Sequence, residues 1–149
     1  MKNLKTSDVL AIYSIVKSAK VTKVESSADK YAIIKSIRPL KKIAETFEAW
    51  RNDAIASLKP ENYEAMEQKA QMWQQQEREG NVTLTEQERI EINQFFYKFN
   101  SEVENCMKEE LEKDNEIEVY AIGDKSIEQF CDSNDWSVEQ MMAVTEFFE

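Results

Sequence analysis

Apolar residues recur at helical spacing along most of this chain. Val9, Ile12, Tyr13 and Val16 share one face, and either Thr6 or Ser7 can cap the helix they mark, with Asp8 in its first turn. Ser26 or Ser27 opens a second helical region near Asp29. There Ile33, Ile37, Leu40, Ala44, Phe47, Ala54 and Leu58 follow a 4-3-4-3 rhythm in which Arg51 fills one position, and Ile43 and Trp50 widen the stripe. Pro39 lies inside this register. It removes a donor and crowds the Lys35 carbonyl, so the pattern predicts either a kinked helix or two helices abutting near Arg38.

Pro60 suits the first turn of a third helix running to about Glu79. Its stripe is thin, with Tyr63, Met66, Ala70 and Trp73 set among Glu and Gln. A stripe this narrow touches one neighbour and cannot sit at the centre of a bundle, which makes Tyr63, Met66 and Trp73 the candidate partner contacts. Gly80-Asn81 stops the helix. Thr85-Glu86-Gln87-Glu88 reads as a capping box for a fourth helix reaching about Lys113, with Ile92, Phe95, Phe99, Val103, Cys106 and Leu111 inward. Opposed to the 33–58 stripe, these side chains are expected to supply most of the core, at ~1.5–3 kcal/mol for each large group buried.

Period-two alternation appears once, over Ile117–Ile122, and reads as a strand. Its partner is either the β-branched segment Lys20–Glu25 or a second copy of the chain. A turn at Gly123-Asp124 leads to a short helix over Ser126–Cys131. Ser137 and Gln140 form a second capping box for the last helix; Trp136 can staple onto Met141, and Met141, Val144 and Phe148 face the body. The pattern predicts a mainly α fold: an antiparallel helical bundle with a small two-stranded β element, its short strands near 20–25 and 117–122. Residues 1–149 fit a single domain.

Composition supports the helical reading. Two glycines and two prolines in 149 residues are too few for the turns of a sandwich or barrel. No signal-peptide character is visible, and no stretch approaches the ~18–20 apolar residues of a membrane span, so a cytoplasmic protein without membrane contact is expected. Cys106 and Cys131 read as reduced structural thiols, although an even count permits a disulfide.

The net charge of −10 is unevenly spread. Residues 1–60 carry 12 Lys/Arg against 6 Asp/Glu, residues 61–101 carry 4 against 8, and residues 102–149 carry 3 against 15. Two readings follow: internal complementarity between the ends, or a bipolar surface that stacks on neighbouring copies or steers a basic partner. General nucleic-acid binding is disfavoured by the acidity, with a local basic face (Lys35, Arg38, Lys41, Lys42) as the one exception to weigh.

Chemistry is thinly represented. The chain has no histidine, which removes the common general base and every Ser-His or Cys-His pair. Two distant cysteines do not make a zinc site, and no glycine-rich phosphate loop exists. Asp132-Ser133-Asn134-Asp135 begins like a calcium loop, but Ser137 stands where Gly is needed and Ala143 where Glu is needed. The run from Glu109 to Glu118 reads as a solvated face. Trp50, Trp73 and Trp136 suit packing or interface roles, and Met141-Met142 fills gaps or forms a soft binding face. No catalytic residue, cofactor, metal or small-molecule ligand is expected, and the chain is read as no enzyme.

Three segments carry a resemblance. They are Lys30-Tyr31-Ala32-Ile33-Ile34-Lys35-Ser36-Ile37 continuing through Ala44-Glu45-Thr46-Phe47-Glu48-Ala49-Trp50-Arg51, then Phe99-Asn100-Ser101-Glu102-Val103-Glu104, then Glu116-Ile117-Glu118-Val119-Tyr120 with the tail Val144-Thr145-Glu146-Phe147-Phe148. In these the chain resembles a group of small helical proteins encoded in phage and prophage genomes. The resemblance implies a structural or accessory role in tail or head assembly and supplies no site residues. The expected function is a non-enzymatic assembly accessory working through self-association or contact with another protein. The alternative is a small acidic regulator or inhibitor whose C-terminal third mimics nucleic acid in a basic groove.

Overall fold

A computed structural model describes all residues from 1 to 149. Six helices hold 71% of them and a two-stranded antiparallel sheet is the only β structure, so the fold is mainly α. In chain order these are β1 (Lys2–Lys5), α1 (Thr6–Val16), α2 (Ser27–Leu58), α3 (Tyr63–Glu79), α4 (Glu86–Leu111), β2 (Asp114–Ile117), α5 (Asp124–Asp132) and α6 (Val138–Phe148). No helix is long and apolar enough to cross a membrane. The chain divides into two compact units. Unit 1 comprises residues 1–49 and 110–149, and unit 2 comprises residues 50–109.

The sheet lies where the hydrophobic pattern gave no sign of it. β1 pairs with β2 in the register Lys2–Ile117, Asn3–Glu116, Leu4–Asn115 and Lys5–Asp114, which sets Lys5 opposite a carboxylate. The expected strands near 20–25 and 117–122 are therefore corrected. Residues 20–25 form no strand and turn at Thr22-Lys23, because side chains of the C-terminal segment take up three of their backbone donors. Lys20 N–H donates to Asn134 Oδ1 at 2.8 Å, Lys23 N–H to Ser133 Oγ at 2.9 Å and Glu25 N–H to Gln129 Oε1 at 3.2 Å. Residues 118–122 lie beyond the end of β2 and make no ladder. They hang instead on α2, where Tyr120 N–H donates to Ser36 Oγ at 2.8 Å and Gly123 N–H to Asp29 Oδ2 at 3.3 Å. The alternation holds over Ile117–Tyr120 and fails beyond it, where Ala121 is exposed and Ile122 turns toward the core. A side-chain hydroxyl and a carboxylate took the place of a neighbouring strand.

Unit 1 has a dry centre. Val9 and Val16 of α1, Val24, Ile33 and Leu40 of α2, Ile117, Phe130, and Val144, Phe147 and Phe148 of α6 form one buried cluster. Phe130 is at its heart, edge-on to Trp136 at 5.0 Å and to Phe148 at 6.1 Å. The expectation that the α2 and α4 stripes supply most of the core is corrected by this cluster. The first half of the α2 stripe is spent on α1, α5 and α6, and no α4 residue belongs to the cluster. The short terminal helices carry denser apolar faces than α4, whose stripe is interrupted by Glu and Asn on both sides. At the corner between sheet and helix, the Asn115 amide donates to Leu4 O, Thr6 Oγ1 and Lys113 O at 3.0–3.3 Å. Lys2 reaches the end of α6, where its ammonium donates to the Glu146 carbonyl and, at 3.0 Å, to the Phe147 carbonyl. A cation on free C-terminal carbonyls complements the helix dipole.

Pro39 does not break α2, which runs unbroken from Ser27 to Leu58 as one helix rather than two abutting ones. Ser26 caps it, its hydroxyl accepting from Asp29 N–H at 3.2 Å. Ser137 and Gln140 make the full capping box on α6. At α4, Thr85 Oγ1 accepts from Glu88 N–H at 3.1 Å, but its hydroxyl also donates to the Glu88 carboxylate, so only half of the box forms.

Unit 2 is leaner. Leu84, Ile92, Phe99 and Met107 are its buried residues. Its aromatic cluster gathers on Tyr63, whose ring centroid lies 6.1 Å from Phe95, 6.0 Å from Phe96 and 5.0 Å from Phe99. Gly80 ends α3 in the left-handed conformation, φ 73°, and Asn81 N–H closes on Gln76 O at 3.0 Å.

Candidate functional site

Helix α3 of unit 2 carries the three residues that the spacing singled out. It has no buried residue along its 17 positions. Tyr63, Met66, Ala70, Trp73 and Gln76 are half-buried and every other position is exposed, so the narrow stripe is present and only partly covered. The three candidates differ in what they have to spare. The Tyr63 ring is held in the aromatic cluster and lies under the Lys59 ammonium, 4.8 Å from its centroid. The Trp73 indole N–H donates to Glu77 Oε1 at 3.0 Å, one turn along, leaving its apolar edge as the contact surface. Met66 and Trp73 sit two turns apart, ~10 Å along the helix axis. Met72 stands exposed beside them.

No three His, Cys, Asp or Glu side chains gather as a metal site. Cys106 and Cys131 are free thiols; burial, with the Asp132 charge, pushes the Cys131 thiol above its ordinary value. Unit 1 has an open cleft of about 360 Å³ lined in part by Ser14, Lys20, Ser133, Asn134 and Gln140. Four of its polar side chains are engaged within the fold, while Ser18, Lys20 and Asp135 also line it. The Ser14 hydroxyl donates to Ala11 O, Ser133 to Gln129 O, and the Asn134 amide to Lys20 O and Phe130 O, while Gln140 serves the α6 cap. These four side chains hold the fold together. A second cleft of about 430 Å³, near Lys2, Leu4 and Phe147, is open and mostly apolar.

Charge is distributed more sharply than the ion pairs suggest. Of the 15 carboxylates in residues 102–149, all but Glu110 are exposed. Three salt bridges exist: Lys41–Glu45 and Lys113–Glu110 within single helical neighbourhoods, and Lys125–Glu25 at 3.2 Å. None joins a base of residues 1–60 to an acid of residues 102–149. The two ends pack together in unit 1 without pairing their excess charges. Lys125 holds the Glu25 carboxyl below its ordinary value, by hydrogen bond first and charge second, with the Gln129 side chain adding to it. Glu118 pushes the Tyr120 phenol up, chiefly through its charge.

A set of exposed side chains stands outside the α3 reading. Tyr31, Ile34 and Tyr120 are exposed on unit 1, with the Lys35 ammonium 4.8 Å from the Tyr31 ring and 5.3 Å from the Tyr120 ring. On α6, Val138 and Met142 are exposed. On α6 the sequence held one signal, the adjacent Met141-Met142 pair, whose members a helix sets ~100° apart; Met141 is half-buried and Met142 exposed.

Comparison with known protein families, curated proteins and solved structures yields no match.

Proposed function

We propose that this chain is a non-enzymatic interaction protein of the cytoplasm, and that unit 2 presents α3 to a second copy or to another protein. One observation carries the reading: a 17-residue helix with two exposed or half-exposed methionines and a tryptophan buries none of its residues. An isolated helix of that length is marginal in water, and most helices are held by a buried face. A partner that covers Met66, Ala70 and Trp73 supplies the missing burial, at ~25 cal/mol per Å² of apolar surface removed from water. The setting we propose, assembly of a phage or prophage particle, rests on the sequence resemblance alone. The test is the double variant Met66→Asp/Trp73→Asp, compared with the parent by affinity capture from host lysate and by chemical cross-linking of the purified chain. Loss of a captured partner or of α3 cross-links, with far-UV circular dichroism unchanged, is the expected result. A parent chain that captures nothing and cross-links nowhere on α3 would refute it.

A second reading is favoured by the exposed acids. Fourteen exposed carboxylates in 48 residues suit a regulator that mimics nucleic acid in a basic groove. Salt separates the two. Binding through carboxylates weakens steeply as ionic strength rises, whereas contact through Met66 and Trp73 holds.

A further inference from the structure

On unit 1, two outward helix faces match each other. Along α2, Tyr31, Ile34, Lys35, Arg38 and Lys42 recur at spacings of three and four and are all exposed, Tyr31 at 56% and Ile34 at 45%. The first turn of this face is apolar and the rest is cationic. No carboxylate pairs with Lys35, Arg38 or Lys42; the neighbouring Lys41 is the one that holds Glu45. Along α6, Val138, Glu139, Met142, Glu146 and Glu149 recur at the same spacings, with Val138 at 69% and Met142 at 59% exposed. This face begins apolar and ends anionic, and none of its three carboxylates is in a salt bridge. Each face spans 12 residues, ~16 Å from first to last along the axis. In parallel register Tyr31 and Ile34 meet Val138 and Met142, and Arg38 and Lys42 meet Glu146 and Glu149.

We propose that these faces dock between copies: α6 of one molecule lies on α2 of the next. The contact is heterologous, using different patches on the two partners, so it builds a ring or a filament unless two copies can satisfy both contacts at once. Nucleic acid is the weaker occupant. It would leave Ile34 unanswered, and the Glu118 carboxylate beside Tyr120 repels phosphate. The proposal is independent of α3, since both faces belong to unit 1.

The test is a charge-swap pair followed by sedimentation velocity from micromolar to millimolar concentration. One variant carries Lys35→Glu and Arg38→Glu, the other Glu139→Lys and Glu146→Lys. The parent should self-associate, and each variant alone should do so at least ~tenfold more weakly. An equimolar mixture of the two should recover association, because each reversed face then meets its complement. Circular dichroism checks that both variants fold, and a Met66→Asp/Trp73→Asp chain should still associate through unit 1. A parent monomeric at millimolar concentration, variants that associate as the parent does, or a mixture that recovers nothing would overturn the proposal. A labelled single-stranded oligonucleotide bound through Lys35 and Arg38 in place of a second copy would overturn it as well.

Discussion

Ser36 joins α2 to the extended segment 118–122 with a single hydroxyl, so replacing it by alanine measures how that segment is held. The side chain is fully buried; its Oγ donates to Ala32 O and accepts from Tyr120 N–H, both at 2.8 Å. Ser36→Ala removes one oxygen and opens no cavity the size of a methyl group. The Ala32 carbonyl keeps its partner in the helix ladder, so the stranded group is the Tyr120 amide, which has no strand beside it. A lost hydrogen bond is worth ~0.5–1.5 kcal/mol net, and a donor left without an acceptor adds ~1–3 kcal/mol when it is sealed from water. Tyr120 is partly exposed, so water replaces part of the acceptor. The expected loss is therefore ~1–2 kcal/mol, or ~3–6 °C in Tm for a chain of this length. Urea denaturation followed by circular dichroism gives the first number, and amide exchange by NMR locates it. The midpoint should fall with an unchanged slope, and the Tyr120 amide should lose protection ahead of those in the Phe130 cluster. A variant within ~0.5 kcal/mol of the parent, its Tyr120 amide protected as before, would refute the reasoning.

Two further outcomes follow from the same geometry. Gly80→Ala meets no atom within 4 Å, so its whole penalty is conformational; holding an alanine at φ 73° should cost ~1–2 kcal/mol in unit 2, read by thermal melting, and Gly80→Asn should cost less. Lys125→Ala should return the Glu25 carboxyl toward 4.5, followed by NMR titration. A depressed native value stabilises above the ordinary carboxylate range and fades as pH falls through it, so the variant should lose stability near neutrality and respond less to acid. Both partners are exposed, which keeps that effect small.

Periodicity revealed faces and said little about neighbours. The 33–44 register, the Ser137–Gln140 cap, the Gly80 stop and the thin α3 stripe were all legible, because each is written in residues three or four apart. The sheet was not. Lys2–Lys5 holds one apolar residue, and Asp114–Asn115–Glu116 is a composition that strands avoid; they pair because packing of Val9 and Ile117 brings them together. Val21 and Val24 suggested a strand, yet their segment was claimed by Asn134, Ser133 and Gln129, more than a hundred residues away. An apolar stripe on α2 likewise does not name the helix that will cover it. The α3 candidates were readable from spacing, whereas the α2 and α6 faces needed coordinates to separate Met142 from Met141 and to show Tyr31 uncovered.

Because unit 1 is closed by both ends of the chain, its assembly has an order in time. Lys2 finds its carbonyl acceptors across 145 positions, and Thr6 finds Lys113 across 107. On the ribosome, Val9, Val16, Ile33 and Leu40 emerge long before Phe130 and Phe147, so their apolar surface stands open while unit 2 is made. Such distant closure slows folding, and chaperones that hold extended apolar segments should engage residues 1–49 of the nascent chain until α6 has been released.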